Sequence, residues 1–298
     1  MQIGDSLRMN DQHIEAVLFI IGYITIIIAV IFILIIALQV MGRDDAYGEI
    51  AMAGDISCSH DSIQTMFNLV NYVKAHKVDA FIFLGDANYK NSYISCSRSF
   101  FNQIDNYTTL KMVRGNHENG SLWKWIVNEH MDGKGRIVWS HEISNDTILI
   151  GFNSNIQWDV GSELYLKLNR ALNTTHEHKI IFTHKHIVEK VCDSKNPETS
   201  MMCGFYDLWQ PIFKKHGVDC VVSGHFHSMV MYNKDGICYQ IYGMGGANPH
   251  QQLKSLSSDM IINSTVSGFA TMEITDKDLI HVFHSNNGTQ MTVRTELQ

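Results

Sequence analysis

An α/β domain behind a single N-terminal transmembrane helix is the architecture this 298-residue sequence predicts, and three observations predict it. No charged residue occurs from Ala16 to Gly42. Beyond Arg43, short β-branched or aromatic runs alternate with stretches of helical periodicity, the signature of an α/β fold. Beyond residue 228 the strand-like runs continue without helices between them. A formal charge of −7 argues against the phosphate backbone of a nucleic acid as the main partner. With 45% apolar and 18% charged residues the chain can bury a core and is not intrinsically disordered.

Taken in order, residues 1–15 form a polar tail and residues 16–41 the anchor. The run 16–38 reads AVLFIIGYITIIIAVIFILIIAL. As a helix it would measure about 35 Å at ~1.5 Å per residue, enough to cross a ~30 Å hydrocarbon core with some tilt. Signal-peptide apolar regions run to only ~7–15 residues, so a cleaved leader does not fit. A buried core helix would show a polar face, and this run shows none. Arg8 on one side and Arg43 on the other give the positive-inside rule nothing to decide with.

The soluble domain is expected over 46–298. Residues 50–53, 80–84, 110–113, 179–183 and 218–223 are short apolar runs closed by Gly or polar clusters, as strands buried on both faces should be. Ile63, Met66, Phe67 and Val70 lie at helical spacing, and Asp61 with Gln64 matches a capping box at the start of that helix. Further helical patterns occupy about 97–105, 121–131, 160–173 and 204–216. MVMYN, ICYQIYG, GFATMEI, DLIHVFH and TQMTVRTE follow as strands, with turns at Lys234-Asp235-Gly236, Asp276-Lys277-Asp278 and Asn286-Asn287-Gly288.

The candidate chemistry sits where these runs end. GDIS, GDANY, RGNHE, HKH and GHFH each follow a strand-like run and supply Asp55, Asp86, Asn116, His184, His225 and His227. Loops at the carboxyl edge of an α/β sheet collect ligands. Carboxylate, carboxamide and imidazole groups in this number suffice for two first-row metals with positions left for water. A strand-end Asp is usually a turn residue, and a lone His is usually a packed or solvated one. Five clusters in order, each after a strand, are what outweighs that ordinary reading. Ser57 lacks a nucleophile-elbow setting, which argues against a serine hydrolase.

The ordered set resembles the calcineurin-like metallophosphoesterase superfamily over roughly residues 50–285, and its purple acid phosphatase-like branch in particular. The resemblance implies a four-layer fold, a β-sandwich flanked by helices, and a two-metal site hydrolysing phosphate esters. Asp86 would bridge the metals; Asn116, His184 and His225 would complete one site, and Asp55 and His227 would serve the other. Family members commonly have a D-x-H motif first, but Asp55 is followed by Ile56 and Ser57. Tyr89 stands where the purple acid phosphatase motif GDxxY has its tyrosine, so a phenolate would replace the missing His. The resemblance thus implies Fe(III) with Asp55, Tyr89 and His227, and Fe, Zn or Mn with Asn116, His184 and His225. Two such cations lower the pKa of a bound water, which attacks a phosphate monoester in line. His117 is the implied acid near the leaving group, His186 is a second catalytic candidate, and Glu118 is expected to support the loop by hydrogen bonding. The substrate would be a phosphorylated small molecule or protein. A phosphodiesterase or nucleotide pyrophosphatase with the same metals, or a membrane-tethered binding domain on this fold, are the alternatives.

Six cysteines allow 15 disulfide connectivities. Cys58 and Cys96 both lie in loops after the first two strands and are the favoured pair. Cys192 and Cys203 could staple the loop between them, and Cys220 and Cys238 lie in apolar runs where free thiols are as expected as a bridge. Sequons stand at Asn106, Asn119, Asn145, Asn173, Asn263 and Asn287. The even cysteine count, the anchor leading straight into the domain, and a mostly exported family favour a single-pass membrane protein with an extracytoplasmic catalytic domain.

Overall fold

The structure, a computed structural model, describes residues 19–31, 48–87, 89, 94–118, 120–131, 133, 137–187, 197–248 and 260–297, with the side chains of 197–203 and 260–263 excepted. It divides into two units, Met1–Asp45 and Ala46–Gln298.

In the first unit residues 19–31 are helical, and their apolar side chains are exposed, among them Phe19 and Ile28. Thirteen residues span about 20 Å. Among the described residues no helix is long and apolar enough to cross a membrane. The tail and the remainder of the expected 16–41 anchor lie outside the described residues.

The second unit contains thirteen strands among the described residues: β1 Gly48–Ala53, β2 Ala80–Phe83, β3 Thr109–Met112, β4 Val138–Glu142, β5 Thr147–Phe152, β6 His178–Thr183, β7 Cys220–Ser223, β8 Met229–Lys234, β9 Ile237–Tyr242, β10 Met260–Ser264, β11 Gly268–Ile274, β12 Asp278–Ser285 and β13 Gln290–Glu296. Its helices are α1 His60–Ala75, α2 Ile94–Asp105, α3 Gly120–His130, α4 Glu163–Leu172 and α5 Pro197–Lys215. The strands form a six-stranded sheet ordered β13-β12-β11-β1-β2-β3 and a seven-stranded sheet ordered β10-β8-β9-β7-β6-β5-β4. β1, β2 and β3 run parallel, as do β5, β6, β7 and β9.

Apolar faces explain the layering. β2, β6 and β7 are buried at every residue, as parallel strands covered on both faces must be. One core cluster unites Met52, Phe83 and Ala270 of the first sheet with Leu149, Phe182 and Val222 of the second, and continues to Leu69 and Phe100 on α1 and α2. The other joins the outer face of the second sheet, Ile150 and Ile181, to Leu168 of α4 and Trp209 of α5. The result is two sheets face to face with helices on both outer sides, the mixed α/β arrangement expected.

Several details differ from the sequence reading. The capping box at Asp61 is not what starts α1. Ser59 is the N-cap, its side chain accepting from the Ser62 N–H, and Gln64 donates to Asn68 at 2.8 Å. α5 begins at Pro197, seven residues early, because proline at the first helical position loses no hydrogen bond. The hairpin β4–β5, paired Val138↔Phe152 to Glu142↔Ile148, and β10 on the sheet edge are additional strands. Cys58 and Cys96 form a disulfide, with Cα atoms 6.5 Å apart. Cys220 and Cys238 are buried free thiols in register on β7 and β9. Cys192 and the Cys203 side chain lie outside the description.

Candidate metal centre

The polar clusters meet at the carboxyl edge of the parallel strands. Asp55 follows β1 by two residues, Asp86 follows β2 by three, and His184 directly follows β6. Three of the residues brought together here have left-handed backbone: Asp55 (φ 61°), Asp86 (φ 61°) and His225 (φ 69°). That region is unfavourable for residues with a Cβ and persists only where surroundings enforce it. Here backbone bonds do so: Asp55 N–H donates to the Gly85 carbonyl at 2.9 Å, and Ile56 N–H to the Asp86 carbonyl at 3.0 Å. Two glycines make the close approach possible. A Cβ on Gly115 would lie 2.1 Å from Asp86 Oδ1, and one on Gly85 (φ 92°) would lie 2.6 Å from His184 Nδ1.

The side chains fall into two groups that share Asp86. In one, the Tyr89 hydroxyl lies 2.8 Å from Asp55 Oδ1, 3.2 Å from Asp86 Oδ2 and 2.7 Å from His227 Nε2. In the other, His184 Nε2 lies 2.9 Å from Asn116 Oδ1, 3.2 Å from His225 Nδ1 and 3.4 Å from Asp86 Oδ2. One ligand atom each of Asp86, His184 and His225 lie within 4.8 Å of one another. The remaining carboxylate oxygens are used by backbone: Asp55 Oδ2 accepts from His225 N–H and Asp86 Oδ1 from His117 N–H, both at 2.8 Å.

This arrangement concentrates lone pairs. His184 Nδ1 faces the Leu84 carbonyl at 2.8 Å and His227 Nδ1 faces the Asn248 carbonyl at 2.5 Å, so each Nδ1 carries a proton and each Nε2 points inward, a lone pair whenever the ring is neutral. Around Tyr89, one hydroxyl proton confronts three acceptors, Asp55 Oδ1, Asp86 Oδ2 and His227 Nε2. Around His184, Nε2 faces a carboxamide oxygen and a carboxylate oxygen, a setting that favours either a second proton on the ring or a cation in its place. Such a set requires positive charge at its centre, and its hard oxygen and imidazole donors suit first-row metal ions.

Protons respond to the same field. Burial lowers the pKa of His184, but the Asp86 carboxylate overrides it and holds the imidazole at about 9. Burial raises Asp86, and His184 with the His117 N–H overrides that to hold it at about 2. Burial, then the charges of Asp55 and Asp86, push the Tyr89 phenol far up. A cation between them would invert that last effect.

His117 is exposed at the mouth, its Nε2 4.0 Å from Asp86 Oδ2 and its ring 4.4 Å from that of Tyr89. His186 is not a solvent-facing loop residue. It is buried, its ring 5.9 Å from that of His225, and burial depresses its pKa to about 3, leaving it neutral. Glu118 is buried and accepts from the Ala87 N–H at 2.5 Å, tying the loop of Asn116 to that of Asp86. Ser57 is held by Ser62 and the Gly246 carbonyl rather than aimed at the site. The carbonyls of Leu84 and Asn248, which orient two histidines, are the groups the sequence reading missed. Every residue has a carbonyl, so no sequence signal singles these out.

Known proteins place this geometry in context. In yellow lupin (Lupinus luteus), the purple acid phosphatase PPD1 superposes with a TM-score of 0.66 at 17% identity over 82% of this chain, which spans 53% of the lupin protein. The Plasmodium protein GAP50, described as the anchor in the inner membrane complex, gives 0.61 at 15% identity over 84% of this chain and 89% of its own. A dimetal phosphatase from Danio rerio gives 0.60 at 12% identity over 84% of this chain and 100% of its own. At these identities the likeness is one of fold. A comparison with curated proteins found no match. The sequence profile of the calcineurin-like phosphoesterases matches residues 49–229, a span that holds every residue of the two side-chain groups, and the chain belongs to that family.

Proposed function

We propose that the chain is a membrane-anchored, dinuclear metal-dependent phosphatase of the purple acid phosphatase type, hydrolysing phosphate monoesters outside the cytoplasm. The observation that carries the proposal is the convergence of lone pairs from two groups on the shared Asp86. Asp55, Tyr89 and His227 would hold Fe(III), and Asn116, His184 and His225 would hold Fe, Zn or Mn, with Asp86 common to both. When bound, two cations supply an activated water and neutralise the phosphoryl oxygens. The chain's own residues do the rest. His117, half exposed beside the shared carboxylate, donates a proton to the leaving oxygen. The strained loops at Asp55 and Asp86 fix the donors in advance, so little reorganisation is left for the reaction. His186 packs against His225 and positions it without touching substrate. The apolar run 16–41 supports membrane attachment, and the Cys58–Cys96 disulfide supports an oxidising compartment for the domain.

The test is metal analysis and a visible spectrum of the full chain, with turnover of p-nitrophenyl phosphate against its bis ester. The reading requires two metals, a visible band lost in Tyr89→Phe, and faster hydrolysis of the monoester. A colourless, fully active protein holding only zinc or manganese would remove Tyr89 from the site. Preference for the bis ester would favour the phosphodiesterase alternative. The Plasmodium relative's description as an anchor supports a third reading, a membrane-tethered binding domain. Two bound metals with no turnover of either ester would support that one.

A further inference from the structure

We infer that Asn106, Asn145 and Asn173 carry N-linked oligosaccharides, all on the edge of the domain opposite the metal loops. The inference rests on the extracytoplasmic reading of the domain. Each residue begins an N-x-Thr sequon without proline at the middle position: Asn106-Tyr107-Thr108, Asn145-Asp146-Thr147 and Asn173-Thr174-Thr175.

Their placement follows from the topology. The metal loops leave the carboxyl ends of β1, β2, β6 and β7. Asn106 lies in the turn between α2 and β3, Asn145 at the tip of the β4–β5 hairpin, and Asn173 at the C-cap of α4 before β6. All three therefore precede the amino end of a parallel strand, a full strand length from the site. β6, with six residues, puts about 20 Å between the two edges. All three asparagines are exposed, and among the described residues none of their side chains makes a hydrogen bond. A bulky polar group there displaces nothing and leaves the metal loops open. Asn287 differs: it lies beyond the carboxyl end of β12, and its carboxamide oxygen is held by Ser285 and Thr289. It falls outside the proposal.

Thr147 supplies an independent observation. It is fully buried at the start of β5, and its hydroxyl has no hydrogen-bond partner among the described residues. A buried hydroxyl without a partner costs stability, and valine would fill the same space without that cost. No hydrogen bond among the described residues uses the hydroxyl, whereas the sequon at Asn145 requires it. Because Thr147 is buried in the folded domain, transfer must precede folding, as on a chain entering a secretory lumen. In that step the asparagine Nδ2 forms a C–N bond to the anomeric carbon of a polyprenyl-diphosphate-linked oligosaccharide. The bond from that carbon to the diphosphate oxygen breaks, polyprenyl diphosphate leaves with the electron pair, and the amide loses one proton.

The experiment expresses the full chain in a eukaryotic cell with a glycosylating secretory pathway. The protein is treated with a glycoamidase in heavy-oxygen water and mapped by peptide mass spectrometry. Labelled aspartate is expected at 106, 145 and 173, and Asn106→Gln, Asn145→Gln and Asn173→Gln should each remove one step of gel mobility. Thr147→Val should abolish label at 145 alone and melt at a higher temperature than Asn145→Gln. Each asparagine is judged separately, and an unlabelled one overturns the assignment at that position. If all three are unlabelled while Cys58–Cys96 is oxidised, the inference fails and the compartment reading stands. If all three are unlabelled and both cysteines are reduced, the compartment reading fails with it.

Discussion

The two ends of the same parallel strands use acidic residues in opposite ways. At the amino end, Asp79 accepts the Glu49 N–H and Asp219 accepts the Lys179 N–H, each at 2.9 Å, with Asp219 also 3.7 Å from His178 Nδ1. These carboxylates close backbone hydrogen bonding where the strands begin, and neither of the two residues takes up left-handed backbone. At the carboxyl end, Asp55 and Asp86 sit at φ 61° and turn one oxygen each toward a shared centre of imidazoles and phenol. The apolar bodies of the strands are alike, so the difference lies in the few residues beyond each end. Among the described residues, left-handed backbone on residues whose side chains converge is found at the carboxyl edge, and that edge holds the candidate site.

Substitutions at the two edges should therefore separate rate from stability. The largest effect is expected from Asp86→Ala, which removes the group common to both halves. Metal analysis should show the two-metal stoichiometry lost and hydrolysis at background while circular dichroism stays native, and retention of two metals would break the comparison. His117→Ala should lower kcat by about 100- to 10,000-fold with metal content unchanged. Loss of metal instead would place His117 among the ligands. Gly115→Ala puts a Cβ 2.1 Å from Asp86 Oδ1, and metal affinity should fall by about 10- to 100-fold in a titration with the metal ion.

At the amino edge the expected effects are smaller and confined to stability. The Asp219 carboxylate raises the His178 pKa against the opposing effect of burial. A histidine raised in the folded state contributes stability in full below its unfolded value of about 6.5, and loses it as pH rises through the folded value. Asp219→Asn should then destabilise by on the order of 1 kcal/mol in acidic buffer. The difference should shrink as pH rises, with kcat of the metal-loaded enzyme unchanged throughout. Denaturant melts at several pH values would read this, and a rate effect as large as that of Gly115→Ala would erase the distinction between the edges.

What was legible in the sequence divides along a physical line. Asp55, Asp86, Asn116, His184, His225 and His227 were visible because chemistry demands rare side-chain types at strand ends, and the GDxxY spacing drew Tyr89 in with them. Strand bodies were visible through their apolar runs. The pairing of β1 with β11, residues more than 200 positions apart, was not, because register is settled by packing between surfaces that local sequence does not describe. The burial of His186 was hidden for a related reason. A loop has no periodicity from which to read an inward face, and only the closure of His225 and Phe226 over it decides the matter.

The Cys58–Cys96 bridge acts before any of this architecture exists. It closes a loop of 38 residues that contains Asp86 and Tyr89 and begins three residues after Asp55. In the unfolded chain such a closure removes conformational freedom equivalent to about 4 kcal/mol in the chain-entropy picture. Two of the donors thus belong to one small covalent ring, and a third, Asp55, stands just outside it, while the rest of the polypeptide is still a coil. A chain oxidised early already holds Asp55, Asp86 and Tyr89 near one another, whereas a reduced chain must bring them together from a much larger set of conformations.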